Sequence, residues 1–263
     1  MKKILITGSG TGIGKAAAIA LSKRGHFVYA TTHTHEQSKQ LNLIARKYRL
    51  PIKSFKLDLL CESDRARVDN LPIDVLINNA ALGDSGSVSE VDIYRYRATF
   101  DTNVFCTVEL TQRVLKNMIK EGSGRVIFIS SLAGRISVPF LSPYTATKFA
   151  IEAIATSLKK EMQELDNANI DVKIIEPGAY ATGFNQKNIS KQFTLAKHDS
   201  YFKDKLHSLK NKQYRYFKLR ESKNLNSIVD IYIKAVEDDK TKFRYTQPCV
   251  QGAFIQFQRI LGK

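Results

Sequence analysis

The chain has 263 residues, 43% hydrophobic and 25% charged, enough apolar material for a sizeable core, which excludes a disordered, collagenous or coiled-coil protein. Lys and Arg number 41 against 25 Asp and Glu, and the resulting +16 calls for an anionic partner: nucleic acid, a membrane surface or an acidic substrate. Three widely spaced cysteines, Cys61, Cys106 and Cys249, form no CxxC pair, so neither disulfides nor a metal site is expected, and a reducing, cytoplasmic setting fits.

The opening Met1-Lys2-Lys3-Ile4-Leu5-Ile6 begins like a signal peptide, but its apolar run breaks at Thr7-Gly8. No stretch approaches the roughly 18 apolar residues of a membrane-spanning helix. Short β-branched runs stand at Lys3 to Thr7, Phe27 to Thr31, Ile52 to Lys56, Asp74 to Ile77, Arg125 to Ser130, Asp171 to Ile175 and Phe243 to Thr246. Longer amphipathic stretches separate them, as expected for strands buried on both faces with helices between. The fold class predicted is α/β, a doubly wound parallel sheet of about seven strands with helices on both faces.

Three helices are marked by their ends. The first runs from about Gly12 to Arg24, with a cationic last turn before Gly25. A second opens at Ser89 with Asp92 as a capping box and continues to about Ile119. A third opens with Ser142 as N-cap and Pro143 at N1, and carries Phe149, Ile151, Ile154, Leu158 and Met162 on one face. No linker or repeat interrupts the chain, so residues 1–263 are expected to form one domain. The compositional break is late: Asn185 to Lys223 holds eleven Lys or Arg against three acids, half of the net charge.

The first strand leads into Thr7-Gly8-Ser9-Gly10-Thr11-Gly12-Ile13-Gly14, and a helical pattern follows. Strand, glycine turn and helix N-terminus in succession make a phosphate site, because exposed N–H groups and the positive helix end favour an anion. By position, Gly8 permits the tight turn, Gly12 the approach of a pyrophosphate, and Gly14 close packing of the helix.

The spacing Gly-x3-Gly-x-Gly resembles that of the short-chain dehydrogenase/reductase family, whose single-domain members have a Rossmann fold. Further motifs in order carry the resemblance over nearly the whole chain. Asp58-Leu59 is similar to the family's adenine-contacting pair. Asn78-Asn79-Ala80-Ala81 is similar to its Asn-Asn-Ala-Gly, with Ala81 in place of glycine. Asp101-Thr102-Asn103-Val104 matches the segment carrying the family's catalytic asparagine, and Cys106 replaces a common glycine there. Pro177-Gly178, followed by Thr182, resembles the loop that holds the nicotinamide carboxamide. The resemblance thus implies a dinucleotide held by Gly8, Ser9, Gly10, Thr11, Gly12, Ile13, Gly14, Asp58, Leu59, Asn79, Ala80, Tyr144, Lys148, Pro177, Gly178 and Thr182.

Tyr-x3-Lys, central to the family, occurs three times, at Tyr144/Lys148, Tyr201/Lys205 and Tyr214/Lys218. Only the first follows an apolar strand that ends in a serine, Ser131, thirteen residues earlier. The chemistry suits hydride transfer to a carbonyl, in which charge develops on oxygen and a proton must be supplied. Tyr144 would be that acid. Lys148, one helical turn away, would lower the phenol's pKa from near 10, and Ser131 would orient the carbonyl oxygen. Asn103 would hold a water linking Lys148 to solvent.

At the end of the second strand a carboxylate would favour NAD by binding the ribose 2′-hydroxyl. Here Thr31-Thr32-His33-Thr34 offers no acid, and Thr32 and His33 are expected to receive a 2′-phosphate, so NADP is preferred and NAD remains open. The basic stretch at about 183–225 corresponds to the family's variable substrate lobe and interleaves Phe184, Phe193, Tyr201, Phe202, Tyr214, Tyr216 and Phe217 with cations. Such interleaving also binds single-stranded nucleic acid. A solvated lid with its aromatics turned inward is the plainer alternative.

The expected function is an NAD(P)-dependent oxidoreductase interconverting a carbonyl and a secondary alcohol. The rival is a dinucleotide sensor or nucleic-acid binder without turnover, disfavoured by the complete catalytic set. A membrane-peripheral dehydrogenase of lipid, retinoid or steroid type is a variant, to which Phe254, Ile255, Phe257, Ile260, Leu261, Arg259 and Lys263 would add an amphipathic surface. Expected partners are an anionic or apolar small molecule and further copies of the chain, as a dimer or tetramer, through the helices near Ser89 and Ser142.

Overall fold

The computed structural model describes residues 1–194, 200–239 and 242–261; the Phe193 side chain and Lys263 lie outside it. Seven strands form one all-parallel sheet: β1 (Lys3–Ile6), β2 (Phe27–Thr32), β3 (Ile52–Lys56), β4 (Val75–Asn78), β5 (Ser123–Ile129), β6 (Asn169–Pro177) and β7 (Arg244–Gln247). Their spatial order is β3-β2-β1-β4-β5-β6-β7, so the winding reverses between β1 and β4. A crevice opens at that reversal, outside the carboxyl ends of the strands.

The alternation of side chains along each strand explains why the runs are apolar throughout. On one face Ile4, Ile6, Val28, Ala30, Ile77 and Ile127 meet Ala17, Ala18 and Leu21 of α1 (Gly12–Lys23) and Ile228, Tyr232 and Val236 of α9 (Asn226–Glu237). On the other, Leu5, Tyr29, Leu76, Val126, Phe128 and Ile174 meet Leu110, Val114 and Met118 of α5 (Cys106–Lys120) and Ile151 and Ala155 of α6 (Ser142–Gln163). Each fully buried aliphatic side chain contributes roughly 1.5–3 kcal/mol, so two such layers hold the sheet between helices.

The remaining helices are α2 (His35–Lys47), α3 (Glu62–Ala66), α4 (Ile93–Phe100), α7 (Phe184–Thr194), α8 (Leu206–Arg220) and α10 (Cys249–Ile260). A π-turn at Asp101–Phe105 joins α4 to α5. Two helix starts differ from the sequence expectation. Ser89 begins no helix: its hydroxyl pairs with Ser87, and the helix opens at Ile93 with Asp92 at the N-cap. Ser142 is the first helical residue of α6 rather than its cap, because its hydroxyl is taken by the Tyr96 phenol across from α4. Phe149 of α6 faces outward, 43% exposed, while Ile151 is buried and Leu158 and Met162 pack on the core.

Candidate active site

The glycine turn takes its shape from three close approaches. Gly8 and Gly12 have φ of +69° and +58°, a region that side chains disfavour. A Cβ on Gly8 would stand 2.8 Å from the Ala80 Cα, and one on Gly14 would stand 2.4 Å from the Asn79 Nδ2 and 2.6 Å from the Gly8 carbonyl oxygen. The third, Gly10, is backed by the Gln37 side chain, 2.6 Å from where a Cβ would lie. The first turn of α1 holds no acid and Thr11 makes no side-chain cap, so the helix start keeps its positive character.

Asn79 braces this turn from β4. Its Nδ2 donates to the carbonyls of Thr7 (2.7 Å) and Gly8 (3.2 Å), and its Oδ1 accepts from the Tyr232 hydroxyl of α9 at 2.8 Å. The Thr7 hydroxyl accepts from the backbone N–H groups of Asn79 and Ala80, and Asn78 bonds Thr111. The cleft therefore has rigid walls before any ligand is considered.

From the turn a cavity of about 920 Å³ runs past His33, Asp58, Leu59, Asn79 and Ala80 to Ser131, Tyr144 and Lys148, and on to Pro177, Gly178 and Thr182. The Thr182 side chain faces Gly12 across the cleft, 3.4 Å from where its Cβ would be. Ser9 and Thr32, expected to hold the dinucleotide, lie outside this lining. Both are fully buried, the Ser9 hydroxyl donating to the Ile6 carbonyl and the Thr32 hydroxyl to the Thr34 carbonyl. Thr34 instead caps α2 together with Gln37, which leaves His33, 3.9 Å from Asp58, as the polar side chain of this strand end that reaches the cleft.

Tyr144 and Lys148 sit one turn apart near the start of α6, and Ser131 stands just past the end of β5 beside Tyr144, its hydroxyl accepting from the Ala133 N–H at 3.2 Å. Burial pushes the Tyr144 phenol up to about 12, against the pull of the Ser131 hydroxyl. The Lys148 ammonium lies 5.4 Å from the centre of the Tyr144 ring and donates to the Ile129 carbonyl at 2.8 Å. Burial draws Lys148 itself down to about 8, and Glu152 opposes that shift.

Asn103 lies in the π-turn with both ends of its carboxamide engaged by protein. Oδ1 accepts from the Leu82 N–H (2.7 Å), and Nδ2 donates to the Leu82 carbonyl (2.9 Å) and the Thr147 hydroxyl (3.0 Å). Thr147 in turn donates to the Tyr144 carbonyl. The side chain is thus a clamp between the β4 loop and the Tyr144 turn of α6. Cys106 is half-buried with its thiol pushed up by burial, which suits an inert residue.

Residues of the expected substrate lobe and C-terminal tail complete the far half, together with Val138, Leu141, Lys187 and Arg220, which sequence reasoning did not single out. Phe184 of α7 stacks edge-on against Tyr144 at 5.6 Å, and Val138, Leu141, Phe217, Phe254 and Ile255 continue an apolar wall with Arg220 and Lys187 among them. These come from segments far apart in the chain; the aromatic, cation-rich stretch at about 183–225 was the signal for Phe184 and Phe217, and nothing local marked Val138 or Leu141.

Residues 2–192 match the family model described as short chain dehydrogenase. An uncharacterized oxidoreductase of Bacillus subtilis, YusZ, is 33% identical over 76% of this chain and 73% of its own. The 3-ketodihydrosphingosine reductase of Bacteroides thetaiotaomicron is 31% identical over 79% of this chain and 74% of its own. A short-chain dehydrogenase/reductase from Burkholderia phymatum, solved in complex with NAD, superposes with a TM-score of 0.81 over 98% of this chain and 93% of its own, at 16% identity. The glycine-turn crevice at the winding reversal and the long family match lead to one assignment: the chain belongs to the short-chain dehydrogenase family of oxidoreductases.

Proposed function

We propose that the protein reduces a carbonyl, or oxidises the matching secondary alcohol, with an NADP-preferring nicotinamide cofactor and with Tyr144 as the acid/base. The observation that carries this reading is the half-buried Ser131–Tyr144 pair over the buried Lys148, at the point where the glycine-walled cleft meets an apolar chamber. The residues fit a dinucleotide: the missing Cβ atoms of Gly8 and Gly12 and the uncapped start of α1 leave a cradle of backbone N–H groups for a pyrophosphate. Asp58, Leu59 and Ala80 would flank the adenosine half, and Lys148, Pro177, Gly178 and Thr182 the nicotinamide half. When bound, the cofactor supplies the hydride.

The chain's own residues do the rest. The Ser131 hydroxyl donates to the carbonyl oxygen and fixes its direction. Tyr144, at about 12, is protonated throughout the neutral range and gives its proton to that oxygen as charge builds there. Lys148, charged below about 8, supports the phenolate left behind from beneath the ring. Asn103 positions this turn through Thr147. Phe184 and the apolar wall exclude water from the reacting atoms.

NADP is favoured because no carboxylate closes the end of β2 and His33 faces the cleft there, 74% exposed in its side chain. A long apolar carbonyl compound fits the chamber lined by Val138, Leu141, Phe184, Phe217, Phe254 and Ile255, and the named activity of the Bacteroides relative supports that class. A homo-oligomer through the exposed Phe105 and Phe149, 61% and 43% exposed, belongs to the same reading.

The test is a thermal-shift titration with NADPH and NADH, followed by turnover over short and long-chain ketones and aldehydes. NADPH should bind more tightly and long-chain ketones should turn over fastest. Dinucleotide binding without turnover on any carbonyl or alcohol would refute the enzymatic reading.

A further inference from the structure

The apolar surface of α10 is arranged as a stripe. Val250, Phe254, Phe257 and Leu261 recur at intervals of four, three and four, one face of a helix, and are exposed at 81, 48, 59 and 52%. Ile260 beside them is 73% exposed, while Ile255 on the opposite side is buried. Exposed apolar area of this extent on one helix face marks a surface made to be covered.

The neighbouring α8 adds charge. Lys212, Arg215, Lys218 and Arg220 are exposed, and Leu219 among them is 85% exposed. The two helices make one surface. The Arg220 guanidinium lies 4.4 Å from the Tyr216 ring centre and 5.8 Å from that of Phe254, and Gln251 donates to the Arg220 carbonyl at 3.0 Å.

We propose that α8 and α10 form a docking surface for an anionic lipid bilayer, seated so that acyl chains meet the mouth of the substrate cavity. Two observations select this occupant. Cations flanking an apolar stripe complement anionic headgroups above acyl chains, whereas a second copy would set like charges against each other. The stripe is also continuous with the chamber: Val250, Phe254, Tyr216 and Arg220 line the cavity and stand at the surface. A substrate dissolved in the bilayer would pass from one apolar environment to another without entering water. Docking follows from the surface alone, while delivery of a lipid-borne carbonyl rests on the function proposed above.

The experiment is co-sedimentation of the full chain with phosphatidylglycerol vesicles and with phosphatidylcholine vesicles, at low and high salt. Two variants away from the cavity serve as probes, Phe257→Asp/Ile260→Asp and Lys212→Gln/Arg215→Gln. The wild type should pellet with phosphatidylglycerol and far less with phosphatidylcholine, losing binding as salt rises. Removing two cations should weaken partitioning about 30-fold. The apolar variant should also release the vesicle, and both should keep the wild-type melting temperature and turnover of a short water-soluble ketone. Failure of the wild type to bind phosphatidylglycerol, or binding by either variant as tight as the wild type's, would overturn the proposal, as would capture of an acidic soluble protein while vesicles stay unbound. Vesicle binding without turnover on any ketone would sustain docking and refute the enzymatic reading instead.

Discussion

Lys148→Met should make the protein more stable and less active at neutral pH. The side chain is 4% exposed, and its value falls from the ordinary 10.5 to about 8 because burial disfavours the ammonium. That difference corresponds to about 3 kcal/mol of folding free energy spent on the charge. Methionine matches the length of the stem, carries no charge, and leaves the Ile129 carbonyl without its 2.8 Å partner, a loss of roughly 1–2 kcal/mol. Glu152 keeps Arg244 at 2.5 Å, so no second charge is stranded. The net expectation is a gain of about 1–2 kcal/mol at pH 7. Because the folded value lies below the unfolded one, the penalty is complete below about 8 and disappears towards 10.5. Urea unfolding of both proteins from pH 7 to 10.5 should therefore show the variant's advantage shrinking across that window. A variant that is less stable at pH 7, or a difference that does not change with pH, would refute the reasoning.

Three further outcomes follow from the same geometry. Reductive kcat/KM with NADPH should fall as pH rises through about 8, where Lys148 loses its charge, and a profile flat from pH 7 to 10 would contradict its role. Gly14→Ala should drive the Asn79 amide and the Gly8 carbonyl from the new Cβ, costing about 1–3 kcal/mol in a thermal melt and at least tenfold in NADPH affinity by fluorescence titration. Glu237 is held down to about 2, chiefly by its hydrogen bond to Arg24 and with help from His26, so its contribution to stability is present above its ordinary 4.5 and lost as pH falls from there to about 2. Acid unfolding of Glu237→Gln should lack that part of the pH dependence.

The strands were legible because both faces of each are buried, which turns a strand into a short unbroken apolar run such as Lys3–Ile6. The glycine turn and the Ser131, Tyr144 and Lys148 set were legible because they lie on consecutive turns and strand ends, where sequence spacing translates directly into distance. Thr32 was misread because alternation along β2 decides which way a side chain points, and its hydroxyl found a local carbonyl. Ser89 and Ser142 have the chemistry of caps, but hydroxyls of Ser87 and Tyr96 compete for them, partners that a local window omits or cannot weigh. The rise in the Tyr144 value comes from burial, which no spacing encodes. The same holds for the cavity wall from α8 and α10, segments joined to the site only by tertiary packing.

The most direct test of the central claim is Tyr144→Phe, assayed for NADPH affinity and for hydride transfer to a ketone in the same preparation. The ring and its contact with Phe184 remain, and only the hydroxyl that carries the transferred proton is removed. NADPH affinity should stay within about twofold while turnover falls about 100-fold or more. Turnover at the wild-type rate would contradict Tyr144 as the acid that completes carbonyl reduction.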